Sequence, residues 1–249
     1  MAGRRVIVTG AGSGMGAAMV REFVARGDTV AALDVRGHAV ASVAGGLPRG
    51  RCHPLEADVG DPGSVAAAVG EALRLLDGAD VLCNNAGVLD DYRPVLETSL
   101  ELWDRVLRTD LTGPFLVSRA VLPAMIAGGG GAVVNTASVS SFVAGGGGAA
   151  YTSAKHGLLG LTRQMAFDYG RQQVRVNAIC PGPVRTGMTE HLFDPATRQE
   201  HVDAAVASTP AGRWADPEEV AKLAAFLASE TASFVHGAAY VIDGGWTVA

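Results

Sequence analysis

The chain has 249 residues, 48% of them hydrophobic and 18% charged, which suffices to bury the core of one large α/β domain over 1–249. Its net charge of -5 and the lack of any Lys/Arg-rich run argue against nucleic acid or an anionic membrane as a partner. Cys52, Cys83 and Cys180 are odd in number and lack C-x-x-C spacing, so neither a disulfide framework nor a zinc site is expected. With no signal-type segment near the N-terminus and no run of eighteen apolar residues, the expectation is a soluble, cytoplasmic, metal-free protein.

Along the chain, a β-branched run at 5–8 leads through TGAGSGMG into a helical pattern at 15–26. Strands follow at 29–33 and 51–55, a helix at 62–76, a strand at 80–83 and a long helix at 100–125. The pattern then repeats: strand 132–135, helix 150–169, strand 174–179, helix 217–228 and a last strand at 239–242. Strand-helix alternation predicts a doubly wound, Rossmann-like α/β domain, a parallel seven-stranded sheet with helices on both faces. The glycine runs at 128–131 and 145–148 are too short for interdomain linkers and read as loops. The segment 187–212 has no place in the alternation and reads as a substrate lid.

The loop after the first strand places Gly10, Gly14 and Gly16 in a G-x-x-x-G-x-G pattern ahead of a helix. Glycine lets the backbone approach a pyrophosphate, and the helix offers unpaired N–H groups and a positive dipole end. A tight βα turn would explain the glycines alone, but Asp34 follows 18 residues after Gly16, at the end of the second strand. A carboxylate there can accept both ribose hydroxyls and repels a 2′-phosphate, which favours NAD over NADP. Ser13 and Val35 are uncharged, although Arg36 stands close by.

The chain has two lysines against 18 arginines, and one of them, Lys155, stands four residues after Tyr151 in AYTSAKHG. On a helix the two share a face, and a compact ammonium can stabilise a phenolate whose ordinary pKa is about 10. Taken alone, this spacing also describes an exposed helical pair. However, Ser138 ends the strand in AVVNTAS 13 residues earlier, where open sheets place ligand-contacting groups.

In this order the motifs resemble those of the short-chain dehydrogenase/reductase family, from Val6 to nearly the last residue. TGAGSGMG, with Gly10, Ser13, Gly14, Met15 and Gly16, matches its cofactor loop. Asp58 and Val59 match the pair beside the adenine, NNAG with Asn85 and Gly87 the segment after the fourth strand, and PGPVRT with Pro181, Val184 and Thr186 the nicotinamide loop. The resemblance implies that Ser138 holds the substrate oxygen and Tyr151 is the general acid/base, while Lys155 lowers its pKa and grips the nicotinamide ribose. Asp110 stands in RTDLTG where the family usually has asparagine. It either completes a proton path through Lys155, with a charge able to pair with it, or shapes a helix kink and leaves the relay to its backbone carbonyl.

These residues imply an NAD-dependent oxidoreductase acting on a small secondary alcohol or ketone. Expected pocket walls are 88–96, 139–149 and 187–209, with Phe142, Met188, His191, Leu192 and Phe193 making a mainly apolar site. His191 reads as a lid-surface residue, not a second base. The resemblance also implies a homotetramer, or failing that a homodimer, through helices 100–125 and 150–169 with help from the C-terminal tail. The competing readings are a 3-oxoacyl carrier-protein reductase, disfavoured by Asp34 and the net charge, and a nonenzymatic NAD-binding sensor on the same fold.

Overall fold

The computed structural model describes residues 3–189 and 209–248. Among these, seven strands form one parallel sheet: β1 (Arg5–Thr9), β2 (Thr29–Asp34), β3 (Cys52–Glu56), β4 (Val81–Asn84), β5 (Gly131–Thr136), β6 (Val174–Pro181) and β7 (Ala239–Ile242). Their order is β3-β2-β1-β4-β5-β6-β7. The helices are α1 (Gly14–Ala25), α2 (Gly37–Gly45), α3 (Pro62–Leu76), α4 (Leu100–Leu107), α5 (Gly113–Ala127), α6 (Ala149–Tyr169) and α7 (Pro217–Leu227). The expected doubly wound, single-domain architecture is therefore present.

Successive residues of a strand point to opposite faces, so a strand covered on both sides must be apolar throughout. In β1, Val6 and Val8 join the layer holding Met19 and Phe23 of α1 and Val220 and Ala224 of α7. Ile7 between them joins Val69 of α3 and Val121 of α5 in the other layer. The chain reverses direction across the sheet at β1 and β4, which leaves a crevice beyond their C-terminal ends.

Two elements differ from the sequence reading. Helix α2 is absent from it, because nine residues with glycine at both ends and one buried side chain, Val40, give almost no periodic signal. The single long helix expected at 100–125 is broken by a wider π turn at Arg108–Thr112, which carries the fully buried Asp110. Such a turn inserts an extra residue into the helical path and re-aims the side chains on it. Gly113 then packs its bare Cα against Val59, and Pro114, with no N–H to donate, follows at the start of α5.

Candidate active site

At the head of α1, the N-cap Ser13 makes no side-chain capping bond and the first turn has no acidic residue, so the positive end of the helix is open to an anion. Gly10 and Gly14 take positive φ of 65° and 51°. A Cβ on Gly16 would collide with the Gly10 carbonyl oxygen and stand 2.7 Å from Asn85 Nδ2. Asp34, 6% exposed, accepts from Gly12 N at 2.8 Å and from Arg36 N at 2.9 Å. Arg36 also reaches Ser13 Oγ with Nη2 at 2.9 Å, so a guanidinium bridges the serine and the carboxylate. A cradle without side chains, an uncapped helix end and a carboxylate at the tip of β2 fit the phosphates and adenosine ribose of a dinucleotide.

The supporting residues take less direct roles. Asn85 turns its amide to the carbonyls of Thr9 and Gly10 at 3.2 and 3.4 Å, which braces the glycine loop. Asp58 follows β3 and accepts from Gly60 N at 2.8 Å, while Val59 packs beneath Gly113. Val184 pairs with Ala215 in a single bridge, and Thr186 sits 3.1 Å from where a Cβ on Gly14 would stand.

At the reactive end, Ser138 follows β5 and accepts from Ser140 N at 3.1 Å, fixing its Oγ at the head of a short 3-10 turn. Tyr151 and Lys155 lie one turn apart on α6, with Nζ 5.3 Å from the phenol ring centre. Lys155 Nζ also donates to Thr136 O at 3.0 Å and pairs with Asp110 Oδ2 at 3.1 Å. Asp110 Oδ1 accepts from Val88 N at 2.8 Å. A Cβ on Gly87 would come within 2.9 Å of Asp110 Oδ2, so that glycine makes room for the ion pair. Burial alone would lower the Lys155 ammonium, but Asp110 and Tyr151 beside it outweigh burial and hold its pKa above the ordinary value.

The phenol departs from expectation. Burial pushes the Tyr151 pKa up; Lys155 and Ser138 pull it down without offsetting burial, and Asp110 and Asp90 add to the rise. Lys155 therefore acts in the expected direction, but burial, with Asp110 and Asp90 adding to it, decides the net result. Asp110 forms the ion pair considered for it and also sits in a helix irregularity.

Met15, Ser138, Tyr151, Pro181, Val184 and Thr186 together line one cavity of about 180 Å³. From the expected walls come Leu89 and Tyr92, Val139 with Gly145 and Gly146, and Met188 with Thr189. Phe142 is not part of the lining and is 43% exposed. His191, Leu192 and Phe193, with the greater part of the expected lid, lie outside the described residues.

The sequence reading missed three residues. Trp214 and Trp246 line the cavity, the second from the C-terminal tail, which was assigned only to assembly. Asp90, fully buried, accepts from Gly148 N at 2.8 Å and Tyr151 N at 2.9 Å, and so caps the helix that carries the tyrosine. Its one sequence signal is an aspartate ahead of a glycine-rich helix start, 58 residues away from Gly148.

The chain is similar to known proteins over nearly its whole length. A family model described as enoyl-(acyl carrier protein) reductase matches residues 10–247. The meso-2,3-butanediol dehydrogenase of Serratia marcescens is 42% identical over 97% of this chain and 94% of its own. The chain belongs to the short-chain dehydrogenase/reductase family. Among solved members of this family, the structure of levodione reductase superposes with a TM-score of 0.95 at 34% identity, covering 100% of this chain and 99% of the other. A structure assigned as an NAD(P)-dependent gluconate 5-dehydrogenase from Beutenbergia cavernae, with NADP at low occupancy, has a TM-score of 0.90 at 38% identity, covering 100% and 98%. As a short-chain dehydrogenase/reductase, the protein is an oxidoreductase acting on CH–OH donors.

Proposed function

We propose that this short-chain dehydrogenase is NAD-dependent and interconverts a small secondary alcohol and its ketone. The observation that carries the reading is one cavity that joins Tyr151 and Ser138 to the Met15–Thr186 side of the glycine loop, with Lys155 behind the tyrosine. When bound, the nicotinamide accepts or returns the hydride. Ser138 donates a hydrogen bond to the substrate oxygen and sets its position. Tyr151 takes the hydroxyl proton in oxidation and returns it in reduction. Lys155 keeps a positive charge beside the phenol, and Asp110 holds that ammonium in place from the side of the π turn. Paired with Lys155 at 3.1 Å, Asp110 is also placed to help complete a proton path running through the lysine toward solvent.

NAD is favoured because Asp34 already stands at the tip of β2, where a 2′-phosphate would meet its charge. Arg36 over Ser13 supports a second reading in which NADP is also admitted, with the guanidinium facing the added phosphate. Apolar side chains left exposed on the expected assembly helices, among them Leu100, Phe115 and Phe167, support a homotetramer or homodimer. No helix among the described residues is long and apolar enough to cross a membrane, and with free Cys52, Cys83 and Cys180 this supports a cytoplasmic setting.

The test is absorbance at 340 nm with secondary alcohols and ketones, using NAD(H) and NADP(H) in parallel. Wild type is expected to turn over faster with NAD(H), and Tyr151→Phe to lose at least a thousandfold while still binding NAD by calorimetry. Retained turnover in that variant would sink the acid/base assignment. Tight NAD binding by wild type without turnover of any alcohol would favour the sensor.

A further inference from the structure

Beyond the reacting pair, the hydroxyl side chains lining the cavity are Thr186, Thr189 and Tyr92. Thr189 Oγ1 donates to Val184 O at 2.8 Å and accepts from Thr186 N at 3.0 Å, and its oxygen lies 3.4 Å from Thr186 Oγ1. Both threonines therefore serve the loop they stand on. The Tyr92 hydroxyl has no hydrogen-bond partner among the described residues. Much of the remaining wall is apolar, with Met15, Leu89, Val139 and Met188.

Tyr92 is held on both flanks. On one side Asp90 accepts from the Gly148 and Tyr151 amides. On the other, Arg93 N donates to Asp90 O at 3.1 Å and Arg93 O accepts from Ala149 N at 3.0 Å. The loop 90–93 and the first turn of α6 thus form one hydrogen-bonded unit carrying both tyrosines. Within it Asp91 and Tyr92 adopt φ of 52° and 58°, a left-handed conformation unfavourable for residues with a Cβ. Such backbone is maintained where surrounding bonds over-determine it, here by those at Asp90 and Arg93. Burial, Tyr151 and Asp90 all raise the Tyr92 pKa, so its phenol stays protonated and can both donate and accept.

We propose that Tyr92 is a specificity-determining residue that hydrogen-bonds a second oxygen of the substrate, which is therefore a diol or hydroxyketone, not a monofunctional alcohol. This rests on the dehydrogenase reading above. Tyr92 is 51% exposed, so water can satisfy its hydroxyl in the open cavity. A bound substrate displaces that water, and a second substrate oxygen restores the bond where a hydrocarbon of like shape does not.

The test compares kcat/KM of wild type and Tyr92→Phe on matched pairs: meso-2,3-butanediol against 2-butanol, and cyclohexane-1,2-diol against cyclohexanol. Wild type is expected to prefer the diol of at least one pair, and Tyr92→Phe to lower the diol-to-alcohol ratio of that pair about tenfold. A ratio unchanged by the variant, or an equal loss on both substrates, overturns the proposal and reduces Tyr92 to a wall. Wild type that prefers the alcohols while using both overturns it too, with the dehydrogenase reading intact. Turnover of none of the four with either cofactor, alongside absent NAD binding by calorimetry, would instead remove the reading beneath it.

Discussion

Replacing Asp90 by alanine removes both acceptors that hold the start of α6. The residue is fully buried, and its two oxygens receive Gly148 N at 2.8 Å and Tyr151 N at 2.9 Å. Alanine leaves both amides without that acceptor. A buried donor left without a partner costs about 1–3 kcal/mol, so the pair costs on the order of 3–5 kcal/mol. That is a large fraction of the roughly 5–15 kcal/mol by which a native protein is stable. In urea, with an m-value of about 3 kcal/mol/M, the midpoint falls by roughly 1 M or more, read by circular dichroism at fixed protein concentration. Asp90→Asn keeps one acceptor oxygen and is expected to fall between alanine and wild type. An alanine variant whose midpoint stays within about 0.3 M of wild type would refute the capping role, because no route to so small a loss leaves both amides buried and unpaired.

Asp110→Asn keeps an acceptor for Val88 N but removes the negative charge that raises the Tyr151 phenol. Oxidation needs the deprotonated phenol, so kcat/KM for oxidation rises with pH, and in Asp110→Asn that limb is expected to move to lower pH; a limb that stays put or moves up refutes the electrostatic argument. Gly16→Ala places a methyl against the Gly10 carbonyl oxygen, a backbone atom that cannot swing aside. It should cost about 1–3 kcal/mol of stability and at least tenfold in NAD affinity, measured by thermal melting and calorimetry. At the head of α7, the Glu219 carboxylate is held near 2 by hydrogen bonds from Arg213 and the Asp216 amide. A folded pKa below the ordinary value contributes stability that is present above pH 4.5 and lost as pH falls through about 2, and carboxyl chemical shifts followed in an acid titration would locate that step.

Strand positions and the order of the motifs were legible because β-branched runs, a glycine loop and the Ser138, Tyr151 and Lys155 spacings are local features of the chain. Helix α2 was not, since its nine residues bury one side chain and leave no periodic stripe. The π turn at Arg108–Thr112 was legible only as a possible kink at Asp110: 100–125 reads as one helix, and its form depends on packing against Val59 and the Lys155 ammonium. Asp90, Trp214 and Trp246 escaped for a different reason, each reaching the site from a distant part of the chain.

The amino-acid sequence by itself determined the doubly wound architecture, the glycine cradle and the pairing of Tyr151 with Lys155 on one helix face, because backbone freedom, periodicity and i to i+4 spacing depend on neighbouring residues. Tertiary structure alone decided the charge balance around the phenol. Whether Tyr151 is raised or lowered depends on burial and on where Asp110 and Lys155 stand in space, and the long-range contacts that set those distances bring together residues far apart in the chain.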